Sequence, residues 1–147
     1  MPKIAAVVVT YNRKDLLLEC ISCLQNQNFL DAPQACETSL DILVIDNAST
    51  DGTSKALKPL ANTKQILYFN TGSNLGGAGG FNYGMRKAVE LGYDYVWVMD
   101  DDCMPHKDTL QEFLKADTQL NGQYGYISSV CRWTDGSICT MNTQRHP

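Results

Sequence analysis

The sequence predicts an α/β fold, a mostly parallel sheet with helices on both faces. Three observations carry that reading. Short apolar, β-branched runs alternate with amphipathic helical segments in the order β-α-β-α-β-α-β-α-β, with no internal repeat. Alternation of this kind argues for parallel strands joined by crossover helices. Unusual polar segments follow directly after four of the strands, on the edge where such sheets bind ligands. Finally, 147 residues with 44% hydrophobic and 19% charged suit one globular domain with a single core.

Each element has its own justification. Residues 3–9 are almost purely apolar, as a strand buried on both faces should be. Asn12 then reads as a helix N-cap, with Asp15 three residues on in a capping-box-like position. Leu16, Leu17, Cys20, Ile21 and Leu24 recur at helical spacing and predict a helix over 13–27. Residues 28–39 hold a proline and many polar residues and read as a long loop. A second buried strand covers 40–45, followed by the polar turn 46–52 and a short helix to about Leu60. Residues 65–69 are the third strand. The stretch 70–80 holds five of the chain's 11 glycines, so the backbone there must do something side chains would obstruct. A helix follows through Phe81, Met85, Ala88 and Val89, stopped by Gly92. The fourth strand, 95–99, runs into three aspartates. An amphipathic helix over 108–117 and a fifth strand over 124–130 complete the series.

Charge and composition exclude several function classes. The formal net charge is −4 and the pI about 5.0, so nucleic acid is not the expected partner. The longest apolar run, 4–9, is far short of the roughly 20 residues of a membrane span. The N-terminus lacks the pattern of a signal peptide. The six cysteines therefore read as reduced thiols of a cytoplasmic chain. Cys20 and Cys23 form a C-x-x-C inside a helix rather than at its start, which favours core filling over redox chemistry. A zinc site would want further ligands at tight spacing, and His106 and His146 lie far away in sequence.

The sharpest chemical signal is Asp100-Asp101-Asp102. These carboxylates repel one another, and the nearest basic residue in sequence is Lys107. In an extended segment Asp100 and Asp102 point the same way while Asp101 points elsewhere. A hard cation such as Mg²⁺ or Mn²⁺ would relieve the repulsion and bridge to phosphate oxygens. The bland alternative is a solvated acidic turn. The glycine-rich loop opens a helix, so its N–H groups could face an anion. It matches neither a dinucleotide fingerprint, because position 82 is Asn82, nor a P-loop. Close helix–sheet packing explains it equally well. Asp46 and Asn47 could bond a base or ribose, although turn building is the stronger reading for them alone. Tyr11 could stack on a base or cover the sheet end. Arg13 could reach a phosphate or be solvated.

Four segments together resemble a known family. They are Val8-Val9-Thr10-Tyr11-Asn12-Arg13, Val44-Ile45-Asp46-Asn47-Ala48-Ser49-Thr50-Asp51-Gly52-Thr53, Asn74-Leu75-Gly76-Gly77-Ala78-Gly79-Gly80-Phe81 and Trp97-Val98-Met99-Asp100-Asp101-Asp102. In this order they resemble the nucleotide-sugar half of family-2 inverting glycosyltransferases, and most of all the galactofuranosyl- and rhamnosyltransferase branch. The resemblance implies a GT-A fold with a Rossmann-like sheet. It implies that Thr10, Tyr11 and Arg13 line the nucleotide pocket and that Asp46 and Asn47 lie beside the base. Asn74, Gly76, Gly77 and Gly80 would approach the ribose and diphosphate. Asp100 and Asp101 would reach the nucleotide sugar, with Asp100 and Asp102 as ligands of Mg²⁺ or Mn²⁺. Many members carry a second acid where this chain has Asn47. The implied donor is a nucleoside diphosphate sugar, UDP- or dTDP-linked by preference, and the acceptor a glycan or lipid-linked glycan. The implied location is the cytoplasm, at the inner membrane face in a longer protein.

In that family the catalytic base and acceptor site lie C-terminal to the Asp cluster. Asp117 and Asp135 sit in no recognisable base motif. The expectation is a donor-binding domain over 1–130, a polar tail over 131–147 that begins an acceptor half, and self-association through uncovered apolar surface. Two alternatives remain at this point: a catalytically silent nucleotide-sugar binding module, and a haloacid-dehalogenase-type phosphotransferase. Against the latter, Met104 stands where Thr or Val is expected, and the motif follows the fourth strand rather than the first.

Overall fold

A computed structural model describes residues 2–28 and 38–142. Its elements are β1 (Lys3–Thr10), α1 (Lys14–Gln25), β2 (Ser39–Asp46), α2 (Thr53–Asn62), β3 (Leu67–Asn70), α3 (Gly76–Glu90), β4 (Tyr95–Asp100), α4 (Thr109–Leu120) and a short 3₁₀ turn, Thr140–Asn142. Most of the long loop after α1, with Cys36, lies outside the described residues, as does His146.

The four strands form one sheet in the order β3-β2-β1-β4, parallel throughout. This is the predicted architecture. The strand order reverses between β1 and its neighbours β2 and β4, and the carboxyl ends at such a point are where open α/β sheets bind ligands. The register aligns those ends: Thr10 stands opposite Asp46, Asp46 opposite Asn70, and Val9 opposite Asp100.

β1 is apolar on both faces because both are covered. Ala6 and Val8 pack with Leu17, Cys20, Ile21 and Leu24 of α1 and Leu57 of α2. Ala5, Val7 and Val9 pack on the opposite side with Ala88 of α3. Ile4 shares the first face and meets Leu110 and Leu114 of α4. Each fully buried Leu or Ile in this set contributes about 2 kcal/mol of transfer free energy. Cys20 is one of these fillers, and burial first of all pushes its thiol up to about 12. Cys20 fills the core, whereas Cys23 is only partly buried, and neither is bonded in a disulfide.

Three local expectations are corrected. Asn12 is not the cap of α1. That position is Arg13, without a side-chain cap, and it is Asp51 that accepts the Lys14 N–H at 3.0 Å. Asn12 instead adopts φ 54° and turns its side chain to the β2–α2 loop. The third strand sits slightly later than predicted, ending on Asn70. The fifth strand does not form: residues 124–130 make no ladder with the sheet. Their β-branched character permits extension, but a strand also needs a partner edge. Tyr124 instead donates its hydroxyl to Asp117 of α4 at 2.7 Å, which holds the segment against that helix, and Tyr126 and Val130 are exposed.

Among the described residues, no helix is long and apolar enough to cross a membrane.

Candidate functional site

The polar residues at the carboxyl edge fall into two connected groups. The first is centred on Asp101. Its carboxylate is buried and accepts the Thr10 hydroxyl at 2.7 Å. The Arg13 Nη1 bridges it, at 3.3 Å from Asp101 Oδ1 and 2.8 Å from Asp102 Oδ2. These carboxylates, Asp101 first, raise the guanidinium pKa further. Asp102 and Arg13 are both half exposed.

Asp101 thus points inward, while Asp100 and Asp102 on either side of it are exposed. Asp101 and Asp102 share Arg13, a neighbour supplied by the fold from 88 residues away. Sequence proximity to Lys107 was the wrong measure of compensation. Asp100 is exposed; its backbone carbonyl accepts the Cys103 N–H at 3.2 Å, while its carboxylate makes no hydrogen bond or ion pair among the described residues. Its carboxyl is pushed above the ordinary range, chiefly by burial and then by Asp102 and Asp101.

The second group ties β2 to the glycine loop. Asp46 is fully buried. It accepts the Ser49 N–H at 2.8 Å and the Tyr68 hydroxyl at 2.6 Å. Burial and this acceptor raise the Tyr68 pKa, which keeps the phenol a donor. With both carboxylate oxygens engaged, Asp46 organises the turn. Asn47, also buried, donates its side-chain amide to Gly76 O at 3.0 Å and its backbone N–H to Thr10 O at 3.0 Å. Thr71 closes the group by donating its backbone N–H to Asp46 O at 3.0 Å, while its hydroxyl donates to Ser73 O at 2.6 Å. Tyr68 and Thr71 were not singled out from sequence. The available signal was that Tyr68 shares a strand face with Asn70, and that Thr71 follows a strand end as the other polar segments do.

Asn12 clasps the two loops together. Its backbone N–H donates to Ser49 Oγ at 2.9 Å, and its Oδ1 accepts the Thr50 N–H at 2.7 Å. Tyr11 lies between Thr10 and Asn12 and is partly exposed.

The glycines divide by role. A Cβ on Gly80 would come within 2.5 Å of Val9 Cγ1, and one on Gly84 would strike Val7 and Ile45. Both serve close packing of α3 on the sheet. Gly76 and Gly77 face open space. Gly76 has φ 70° and donates its N–H to Asn74 Oδ1 at 2.9 Å. These two begin α3, where backbone N–H groups lack intrahelical partners.

The acids of the later chain are engaged elsewhere. Asp117 accepts from Tyr124 and Tyr95. Asp135 accepts the Ser137 N–H and hydroxyl in a turn.

Known proteins share the sequence pattern and the fold of this chain. The chain is 29% identical over 134 residues to galactofuranosyltransferase GlfT1 of Mycolicibacterium smegmatis, covering 90% of this chain and 40% of that protein. It is 35% identical over 133 residues to GalNAc(5)-diNAcBac-PP-undecaprenol beta-1,3-glucosyltransferase of Campylobacter jejuni, covering 89% of this chain and 38% of that protein. The chain thus spans about two fifths of the length of these relatives. Among solved structures, S. aureus TarS 1-349 in complex with UDP-GlcNAc superposes with a TM-score of 0.65 at 22% identity, over 87% of this chain and 38% of that one. The mannosyltransferase PcManGT from Pyrobaculum calidifontis, in complex with GDP-Man and Mn²⁺, superposes at 0.59 with 28% identity, over 78% and 32%. The match to Glycosyl transferase family 2 runs over residues 5–127, from β1 to beyond α4, and so takes in all four strand ends: the chain belongs to glycosyl transferase family 2.

Proposed function

We propose that the carboxyl edge of the sheet binds the nucleoside diphosphate sugar of a glycosyl transfer together with Mg²⁺ or Mn²⁺. The sugar would pass to a glycan or lipid-linked acceptor with inversion at the anomeric carbon, in the cytoplasm. One observation carries this reading. Asp100 is an exposed, unpartnered carboxylate beside Asp102, at an edge where Asp46, Asn47 and Asp101 are buried and hydrogen-bonded.

The donor set fits a hard cation. Asp100 and Asp102 offer oxygens only, and partial burial, then repulsion by Asp102, raises the Asp100 pKa. Among the described residues no three acid, imidazole or thiol groups form a metal cluster. Mg²⁺ commonly takes one or two carboxylates and fills its shell with water and phosphate oxygens, so two carboxylates suffice. When bound, such a cation offsets the charge that develops on the departing diphosphate.

The chain's own residues supply the rest. Thr10 and Arg13 hold the acidic segment in place. The Gly76 and Gly77 backbone, free of side chains, lets a diphosphate approach the start of α3. Asn74 fixes the turn that presents it. Tyr11 offers a ring to the base, and the Asp46–Asn47 turn shapes the base side without giving up a carboxylate oxygen. The UDP-GlcNAc and GDP-Man complexes of the structural neighbours support a nucleotide-sugar site on this fold, and the Mn²⁺ of the latter supports the cation. Membership of family 2 displaces the phosphotransferase alternative.

The test is calorimetric titration of UDP-, dTDP- and GDP-sugars with and without Mn²⁺. A UDP- or dTDP-sugar should bind only with the cation, and Asp102→Asn should remove binding in a folded chain. Equal affinity without Mn²⁺ would overturn the metal assignment. Failure of every donor to bind would overturn the site.

A further inference from the structure

We infer that Arg13 is an exchangeable counter-ion that holds Asp102 until a metal–diphosphate complex arrives, and so keeps the site from capturing bare metal. The inference rests on the metal and donor reading above and adds to it a reason for selectivity.

The geometry supplies an anchor and a mobile arm. Asp101 is the anchor: it is buried, and Thr10 Oγ1 fixes its Oδ2 at 2.7 Å. Its Oδ1 keeps Arg13 Nη1 at 3.3 Å. Asp102 is the mobile partner. Its side chain is half exposed, and Arg13 is its only hydrogen-bond partner among the described residues, at 2.8 Å. A half-exposed ion pair is weak enough to exchange, because water screens both ends. Arg13 can therefore release Asp102 without leaving Asp101.

The charges also match. Three carboxylates and one guanidinium leave two negative charges at the edge, which a single dication neutralises. Without Arg13 the same carboxylates would present a deeper negative site to any dication in solution. They would also repel the phosphate oxygens of the incoming diphosphate, and the released guanidinium would be missing as a partner for those oxygens. Arg13 thus acts with opposite sign on the two ligands. A purely structural residue would weaken both.

The experiment compares the parent chain with Arg13→Gln, in two titrations read by direct binding. In MnCl₂ alone, followed by electron paramagnetic resonance of free Mn²⁺, Arg13→Gln should bind about tenfold tighter, the scale of one charge-assisted contact removed. In UDP titrated under saturating Mn²⁺, it should bind several-fold weaker. Adding Asp102→Asn should erase the gain in Mn²⁺ affinity, because no carboxylate is then freed. A thermal melt checks folding. Should Arg13→Gln not fold, Arg13→Lys takes its place; it keeps the charge but loses the two-carboxylate bridge, and a smaller gain in the same direction is expected. Unchanged or weaker Mn²⁺ binding in the folded variant would overturn the counter-ion role alone. Absence of Mn²⁺ binding in parent and variant alike would overturn the metal reading with it.

Discussion

The ends of β2 and β4 carry the same kind of residue and use it differently. At the end of β2, Asp46 is sealed from water and both its oxygens are engaged, by Ser49 and Tyr68. At the end of β4, Asp101 is sealed in the same way by Thr10, but Asp100 and Asp102 on either side stay exposed. A carboxylate after a parallel strand is thus a building element when neighbouring loops fold over it. It stays open to solvent when they do not. The difference lies in what the neighbouring strands deliver: β3 brings Tyr68 to Asp46, whereas β4 is an edge strand with β1 on one side only.

The largest expected effect breaks this contrast at its strongest point. Asp46→Ala strips acceptors from the Tyr68 hydroxyl and the Ser49 N–H and should cost about 3 kcal/mol in urea unfolding, since each bond to a buried charge is worth roughly 1.5–3 kcal/mol. Asp100→Ala should leave stability within about 0.5 kcal/mol of the parent yet lose Mn²⁺-dependent UDP binding. Equal stability losses would erase the distinction between a builder and a ligand group.

Next come the glycines of the adjoining loop, which sharpen the same contrast. Gly80→Ala drives a methyl into Val9 and should cost about 1–3 kcal/mol through overpacking. Gly77→Ala meets nothing within 4 Å, so it should leave the melt almost unchanged and weaken UDP binding instead. Thermal melts paired with UDP titrations check both, and a Gly77→Ala chain that melts early while binding UDP normally would contradict the division.

The smallest effect concerns pH. The Asp100 carboxyl is raised by burial and then by Asp102 and Asp101, so the native state favours its protonated form. Ionisation carries no penalty below the ordinary carboxylate range and a full one above the raised value. Asp100→Asn should therefore melt slightly higher than the parent at about pH 7, with the gap closing toward about pH 3. Exposure of the side chain keeps the gap small. Melts across that range test it; a gap independent of pH would assign the change to something other than ionisation.

What the sequence by itself determined was the architecture and the edge at which the polar segments gather. The apolar run of β1 can be buried on both faces only between two helical layers, and the β-α alternation leaves parallel crossovers as the short connection. Four polar segments after strands therefore had to meet at one end, and the family match over 5–127 agrees. Local periodicity is a property of neighbours in sequence, so it survives translation into structure. Pairing is not. Whether 124–130 became a strand depended on a free edge and on Asp117 holding Tyr124. Whether Asn12 capped a helix or clasped Ser49 and Thr50 depended on the approach of the second loop. The same holds for the acidic triplet. Its spacing is local, but its compensation comes from Thr10 and Arg13, some 90 residues earlier in the chain. Only the parallel register that sets Val9 against Asp100 brings them together, because hydrogen bonds and ion pairs act over distances in space that chain separation does not encode.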